Sequence, residues 1–219
     1  MSRVTVLGGH GKVALLAAPL LVDDGHDVTS VVRNPDHVAD VEATGASAAL
    51  LDVEHATTEQ IADLVRGSDV VVWSAGAGGG SPERTYAVDR DAAIRSMDAA
   101  AQAGVGRYVM VSYFGAGPEH GVPEDNSFYA YAEAKAAADE HLQGTDLAWT
   151  ILRPSSLTTE AATGHIQTGG GVVAGRVSRD NVAHVIRAVV AHAESTARRI
   201  LAFNDGYQPI DDVVTSPPA

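Results

Sequence analysis

Tyr131 and Lys135 stand four residues apart in FYAYAEAKAAADEHL, residues 128–142, and Lys135 is one of only two lysines in the chain, the other being Lys12. Four residues is about one helical turn, so the phenol and the ammonium share a face. A free tyrosine has a pKa of about 10, too high for efficient proton transfer at neutral pH. A nearby ammonium stabilises the phenolate and lowers that value, and it can also hold a cofactor ribose. Ser112 lies in the run RYVMVSYFG (107–115), where its hydroxyl can orient a carbonyl oxygen. The three side chains make a set for hydride transfer with protonation of a ketone or aldehyde. Tyr129, six residues from Lys135, turns to another face.

A second constellation supplies the hydride source. VTVLGGHGKVALL places Gly8, Gly9 and Gly11 between an apolar strand and a helix. Glycines there let backbone N–H groups approach a pyrophosphate, and the helix N-terminus adds partial positive charge. The spacing is Gly8-x-x-Gly11-x-x-Ala14 rather than GxGxxG; Ala14 still allows close helix–strand packing. His10, Lys12 and Val13 complete the turn. Strand two ends Val31-Val32-Arg33-Asn34, without the acid that accepts from the ribose hydroxyls of NAD. Arg33 can pair instead with a 2′-phosphate, helped by Lys12 or His10, so NADP(H) is expected over NAD(H). Asp52 and Val53 are expected at the adenine edge, and Ser74, Ala75 and Gly76 beneath the ribose.

These residues need a scaffold, and the chain spells one. Apolar β-branched runs at 3–7, 27–33, 47–53, 69–76, 107–115, 147–157 and 198–205 read as strands. Alanine-rich stretches at 12–25, 36–45, 57–67, 82–104, 128–144 and 179–194 read as helices. Strands joined by helical crossovers predict an α/β fold: a doubly wound parallel sheet of about seven strands with helices on both faces. One domain over 1–219 is expected, with a small substrate-facing lobe around 155–178 and a loose tail, VVTSPPA. In such a sheet Ser112, Tyr131 and Lys135 meet at the carboxyl ends of the strands.

Composition narrows the function classes. The net charge of −13 argues against nucleic acid or acidic membrane as partner, because phosphate binding needs clustered cations. There is no cysteine, which excludes disulfides, thiolate metal sites and thiol catalysis and suits a reducing cytoplasm. The nine histidines show no metal-ligand spacing, and no metal is expected. The opening MSRVTVLGG is too short and glycine-rich for a signal peptide, and no apolar run reaches the roughly 18 residues of a membrane helix. The expectation is a cytoplasmic monomer or homodimer acting on a small molecule.

The glycine turn, the VVRNP segment, Ser112, Tyr131-x-x-x-Lys135 and TILRPSSLT together resemble an atypical short-chain dehydrogenase/reductase. The resemblance runs through SRDNVAHVI and is strongest to the NAD(P)H-binding subgroup similar to flavin and biliverdin reductases and NmrA-like redox sensors. It implies a Rossmann fold, cofactor contacts at Gly8, Gly11, Arg33, Asp52 and Val53, and a catalytic trio of Ser112, Tyr131 and Lys135. It also implies that Arg153-Pro154 leads the chain past the nicotinamide. The asparagine that completes the superfamily's tetrad has no clear match; Asp89 is the nearest polar candidate. The implied activity is NADPH-dependent reduction of a small carbonyl, quinone or flavin. The alternatives are an NADP(H)-binding regulator whose loops 76–82 and 114–127 meet a partner and, ranked last, an epimerase or dehydratase.

Overall fold

The computed structural model describes residues 1–79 and 81–217, so Gly80 of the 76–82 loop and Pro218 and Ala219 of the tail lie outside the described residues. β1 (Arg3–Leu7) enters the glycine turn and α1 (Ala14–Asp23) leaves it. β2 (Asp27–Val32) follows, then a 3-10 turn (Pro35–His37) into α2 (Val38–Glu42). Next come β3 (Ser47–Leu50), α3 (Thr58–Val65) and β4 (Val70–Trp73). The single helix expected over 82–104 is three segments: α4 (Pro82–Thr85), a π-helical stretch (Tyr86–Ala92) and α5 (Ala93–Gln102). β5 (Arg107–Val111), α6 (Tyr129–Gln143) and β6 (Ala148–Pro154) carry the chain to β7 (Ser156–Thr158), β8 (His165–Thr168) and β9 (Arg176–Ser178). α7 (Arg179–Ala191), α8 (Ala193–Thr196), β10 (Arg199–Asp205), β11 (Gln208–Pro209) and α9 (Ile210–Thr215) end it.

The main sheet has nine strands in the order β11-β8-β10-β6-β5-β4-β1-β2-β3. β1 pairs in parallel with both β2 and β4, Val4 lying opposite Val28 on one side and Val70 on the other. The strands expected from the sequence are the parallel ones. β8 and β11 are added antiparallel at one edge. They are too short to show a period, and β8 falls in the stretch expected to form the small lobe around 155–178. β7 and β9 pair separately, in parallel.

Alternation along the strands divides the core between the two faces. Val4 and Val6 pack with α1 and α7 residues such as Ala17, Leu21, Val185 and Val189. Leu7, Val71 and Trp73 pack with Ile61, Met97 and Leu142 of α3, α5 and α6. Each such side chain, fully buried, contributes about 1.5–3 kcal/mol. Two expected boundaries move for local reasons. β3 stops at Leu50, because Asp52 turns the chain by accepting the Glu54 N–H at 3.1 Å. The tail expected to be loose is helical as far as Thr215, because Ile210, Val213 and Val214 are buried at helical spacing.

The chain runs outward from β1 through β2 to β3, then returns to place β4 on the other side of β1. Ligands of open α/β sheets bind outside the strand carboxyl ends at such a reversal.

Candidate active site

The turn after β1 and the turn after β4 touch at this reversal. Gly8 has φ +87°, and a Cβ there would lie 2.5 Å from the Ala75 Cα. A Cβ on Gly9 would lie 2.6 Å from the Ser30 Cβ of β2. Only glycine permits both approaches. Gly9 N–H donates to the Val31 carbonyl at 2.8 Å, and Gly11 N–H to the Gly8 carbonyl at 2.9 Å. Gly8, Gly9, Gly11, Ser74, Ala75 and Gly76 thus form one bare-backbone cradle before α1. Val13 is buried beneath it and Lys12 is exposed beside it.

Arg33 is 56% exposed, but it is not free: its Nη1 lies 3.5 Å from Glu54 Oε2. The same carboxylate holds Arg84 Nε at 3.2 Å, and Arg84 also donates to the Ala77 carbonyl. This chain ties together the connections that follow β2, β3 and β4. Arg95 of α5 fixes the turn after β3 by donating to the carbonyls of Val53, Glu54 and Ala56. Asp52 Oδ2 contacts His55 Nδ1 at 2.9 Å. Burial pushes the Asp52 carboxyl up, but the His55 and Glu54 donors outweigh it and hold the group below the usual carboxylate range.

The expected trio sits one strand farther along, and its bonding is not the expected one. Lys135 is 1% exposed, and its Nζ donates to the Val111 carbonyl at 2.8 Å. Ser112 Oγ donates to Asp139 Oδ2 at 2.9 Å, so its hydrogen is committed inward rather than to a carbonyl substrate. Asp139 also accepts from Arg153 Nε at 3.0 Å. Arg153 and Pro154 are therefore the end of β6, with Arg153 gripping this carboxylate. Asp139 was missed in the sequence. Its signal was spacing alone: it stands four residues after Lys135 and extends the Tyr131 face by one more turn.

Asp89 lies in the π-helical stretch, where an inserted residue is often found at functional sites. Its Oδ2 accepts the Ala77 N–H at 3.0 Å, and it faces Lys135. The carboxylates of Asp89 and Asp139 and the cations of Lys135 and Arg153 balance to zero net charge. Desolvation dominates each buried member. It pushes the Asp89 and Asp139 carboxyls up against the pull of Lys135, and pushes the Lys135 ammonium down against the two aspartates. Tyr131 is pushed up too, by burial first and then by Asp89, Tyr113 and Asp139. The expected lowering of Tyr131 by Lys135 is not found, because that ammonium turns to Val111 and its countercharges. Tyr113, also missed, lies tilted at 5.4 Å from Tyr131 and edge-on at 5.2 Å from Phe128, and among the described residues its buried hydroxyl has no partner.

A separate groove of about 330 Å³, lined by Asp24, His184, Arg187 and Ile210, lies at the far end of α1 from the glycine turn. Among the described residues, no helix is long and apolar enough to cross a membrane.

Comparison with known proteins agrees with this fold. A family model described as NAD(P)H-binding matches residues 8–193. A Bacillus subtilis protein called an uncharacterized sugar epimerase is 32% identical, with 97% of this chain and 98% of that one covered. A solved structure from Bacillus halodurans, provisionally named a NAD-dependent epimerase/dehydratase, superposes with a TM-score of 0.89 at 28% identity, covering 98% of this chain and 99% of its own. An oxidoreductase from Lactococcus lactis superposes with a TM-score of 0.85 at 26% identity, covering 97% and 94%.

Proposed function

The chain belongs to the NAD(P)H-binding family, and from that premise we propose an NADP(H)-dependent oxidoreductase that reduces a small carbonyl, quinone or flavin-type substrate, with Tyr131 as proton donor. The observation that carries this reading is the convergence of Tyr131, Lys135, Ser112 and Asp89 next to the Gly8–Ala75 contact. A bare backbone cradle suits a pyrophosphate, and the adjacent buried polar set suits a reaction that ends in protonation.

When bound, a dihydronicotinamide supplies the hydride. The rest falls to side chains of this chain. Gly8, Gly9 and Gly11 admit the pyrophosphate to the N-terminus of α1. Ser74, Ala75 and Gly76 would hold the ribose, and Asp52 and Val53 the adenine. Arg33 meets the 2′-phosphate once it exchanges the Glu54 carboxylate for it. Tyr131 is protonated at neutral pH, and because burial and the aspartates make it a weaker acid, donation depends on stabilising the phenolate as it forms. Lys135 neutralises the aspartates that would otherwise oppose formation of the phenolate. Ser112 orients the substrate carbonyl by turning its O–H from Asp139 to that oxygen.

One finding favours a second reading, an NADP(H)-binding regulator without turnover: Ser112 and Lys135 are both committed to protein partners. The names of the relatives raise a third, an epimerase that returns the hydride to the same molecule. NADPH oxidation in the presence of menadione, flavin mononucleotide or an aromatic aldehyde separates these readings. Reduction of any one acceptor, cut about 100-fold or more by Tyr131→Phe with the NADPH Kd unchanged, supports the proposal. Turnover unchanged by Tyr131→Phe removes Tyr131 as donor, and absence of oxidation with all three leaves the regulator and the epimerase.

A further inference from the structure

The glycine turn and the connection after β2 are joined by a pair of stacked imidazoles. His10 and His37 lie with ring centroids 3.6 Å apart and planes within 9° of parallel. His10 Nε2 stands 2.9 Å from Asp40 Oδ2 of α2. The pair therefore sits on the β1 side of the β2 terminus, whereas Arg33 leans to the β3 side, toward Glu54. Between these two positions runs the segment where the adenosine ribose of a dinucleotide is held.

Charge makes this placement matter. A phosphate monoester carries about −1.5 to −2 near neutral pH. The chain carries −13, and the one cation at the end of β2 is shared with a carboxylate. A 2′-phosphate needs more positive charge than Arg33 alone supplies. Imidazole is the side chain that gains a charge in this pH range, at about 6.5 when unperturbed. Neutral His10, with its Nε2–H donated to Asp40, keeps Nδ1 bare and able to take a proton from water. The other charged groups on these two segments are Asp36, Asp40, Lys12 and Arg33.

We propose that His10 and His37 form the second half of the adenosine 2′-phosphate site and take up a proton when that phosphate binds. The inference rests on the NADP(H) reading above and deepens it. NADPH selectivity becomes a function of pH, strongest where imidazole charges most easily.

Calorimetric titration with NADPH and with NADH, near pH 7.2 in PIPES and in Tris, tests it. The difference in heat between buffers counts the protons bound. NADPH is expected to take up roughly half a proton or more and NADH none. The NADPH:NADH affinity ratio is expected to fall about 10-fold between pH 6.5 and 8.5. The bound phosphate, with its own pKa near 6, releases protons beside cations, so the sign alone separates the two sources. His10→Asn and His37→Asn are each expected to abolish the uptake and flatten the ratio. Tight, selective NADPH binding without uptake, or with uptake unchanged in both variants, overturns the histidine assignment and leaves the NADP(H) reading standing. NADPH no tighter than NADH at any pH overturns both. Should the variants not fold, the buffer dependence of the native protein decides alone.

Discussion

The two halves of the crevice handle charge in opposite ways. On the β2–β3 side, Arg33, Glu54, His10 and Asp40 form pairs that water reaches, at 2.9 to 3.5 Å. On the β5–β6 side, Lys135, Asp89 and Asp139 are sealed from it, and Arg153, 16% exposed, closes the cluster. An exposed pair is worth about 0–1 kcal/mol and exchanges partners readily. A buried one is held by the desolvation that would follow its loss. The first half is therefore built to trade its partners for a ligand, and the second to keep an internal electrostatic balance. That difference also explains why Tyr131 is pushed up rather than down. In the sealed half, every charge is set by its neighbours before any substrate arrives.

Removing one cation from the sealed half is the severest way to break this contrast. Lys135→Met leaves Asp89 and Asp139 short of a countercharge, at an expected cost of about 3–5 kcal/mol in urea unfolding. Adding Asp89→Asn should recover part of it, because the two sites are coupled. A loss below about 1 kcal/mol for Lys135→Met would mean that the network is not sealed.

Between the halves, Gly8→Ala forces a side chain against Ala75 in a φ +87° backbone. A loss of about 1–3 kcal/mol is expected. The NADPH affinity should drop with it as the β1 and β4 turns part. Full affinity in this variant would take the cofactor out of that contact.

A gentler probe is pH. A carboxyl pushed up in the folded state, as Asp139 is from 3.8, binds more protons folded than unfolded. Its contribution is thus present at low pH and is lost as pH rises from about 4 through the folded value. Asp139→Asn should remove that part of the pH slope of unfolding free energy between pH 4 and 7. An unchanged slope would show that Asp139 is ionised throughout.

The smallest effect is expected on the open side. Glu54→Gln releases Arg33 and loosens Arg84 from the same carboxylate, so stability should fall by about 1 kcal/mol. NADPH should bind a few-fold tighter and NADH equally well. An equal gain for both cofactors would separate Arg33 from the 2′-phosphate.

The cradle was legible because its signals are local. Gly8, Gly9 and Gly11 follow an apolar strand and precede a helix, a pattern carried within a dozen residues. Tyr131 and Lys135 declared a shared face by their spacing, as did Asp139 once that spacing was carried one turn further. The edge strands β8 and β11 were illegible, since a strand of two to four residues has no period to read. The π-helical stretch at Asp89 was hidden too, because its residues suit an ordinary helix.

Sequence by itself determined the parallel order of strands and helices, the glycine turn and the helix face that bears Tyr131. These follow from backbone freedom and side-chain period, which act between near neighbours. Only the tertiary structure decided which atoms those groups meet. Ser112 gives its hydrogen to Asp139, Arg153 grips the same carboxylate, and Lys135 turns to Val111. His10 finds His37 in the turn after the neighbouring strand. Partners of this kind come from segments far apart in the chain, and burial sets their charge, so neither spacing nor composition encodes them.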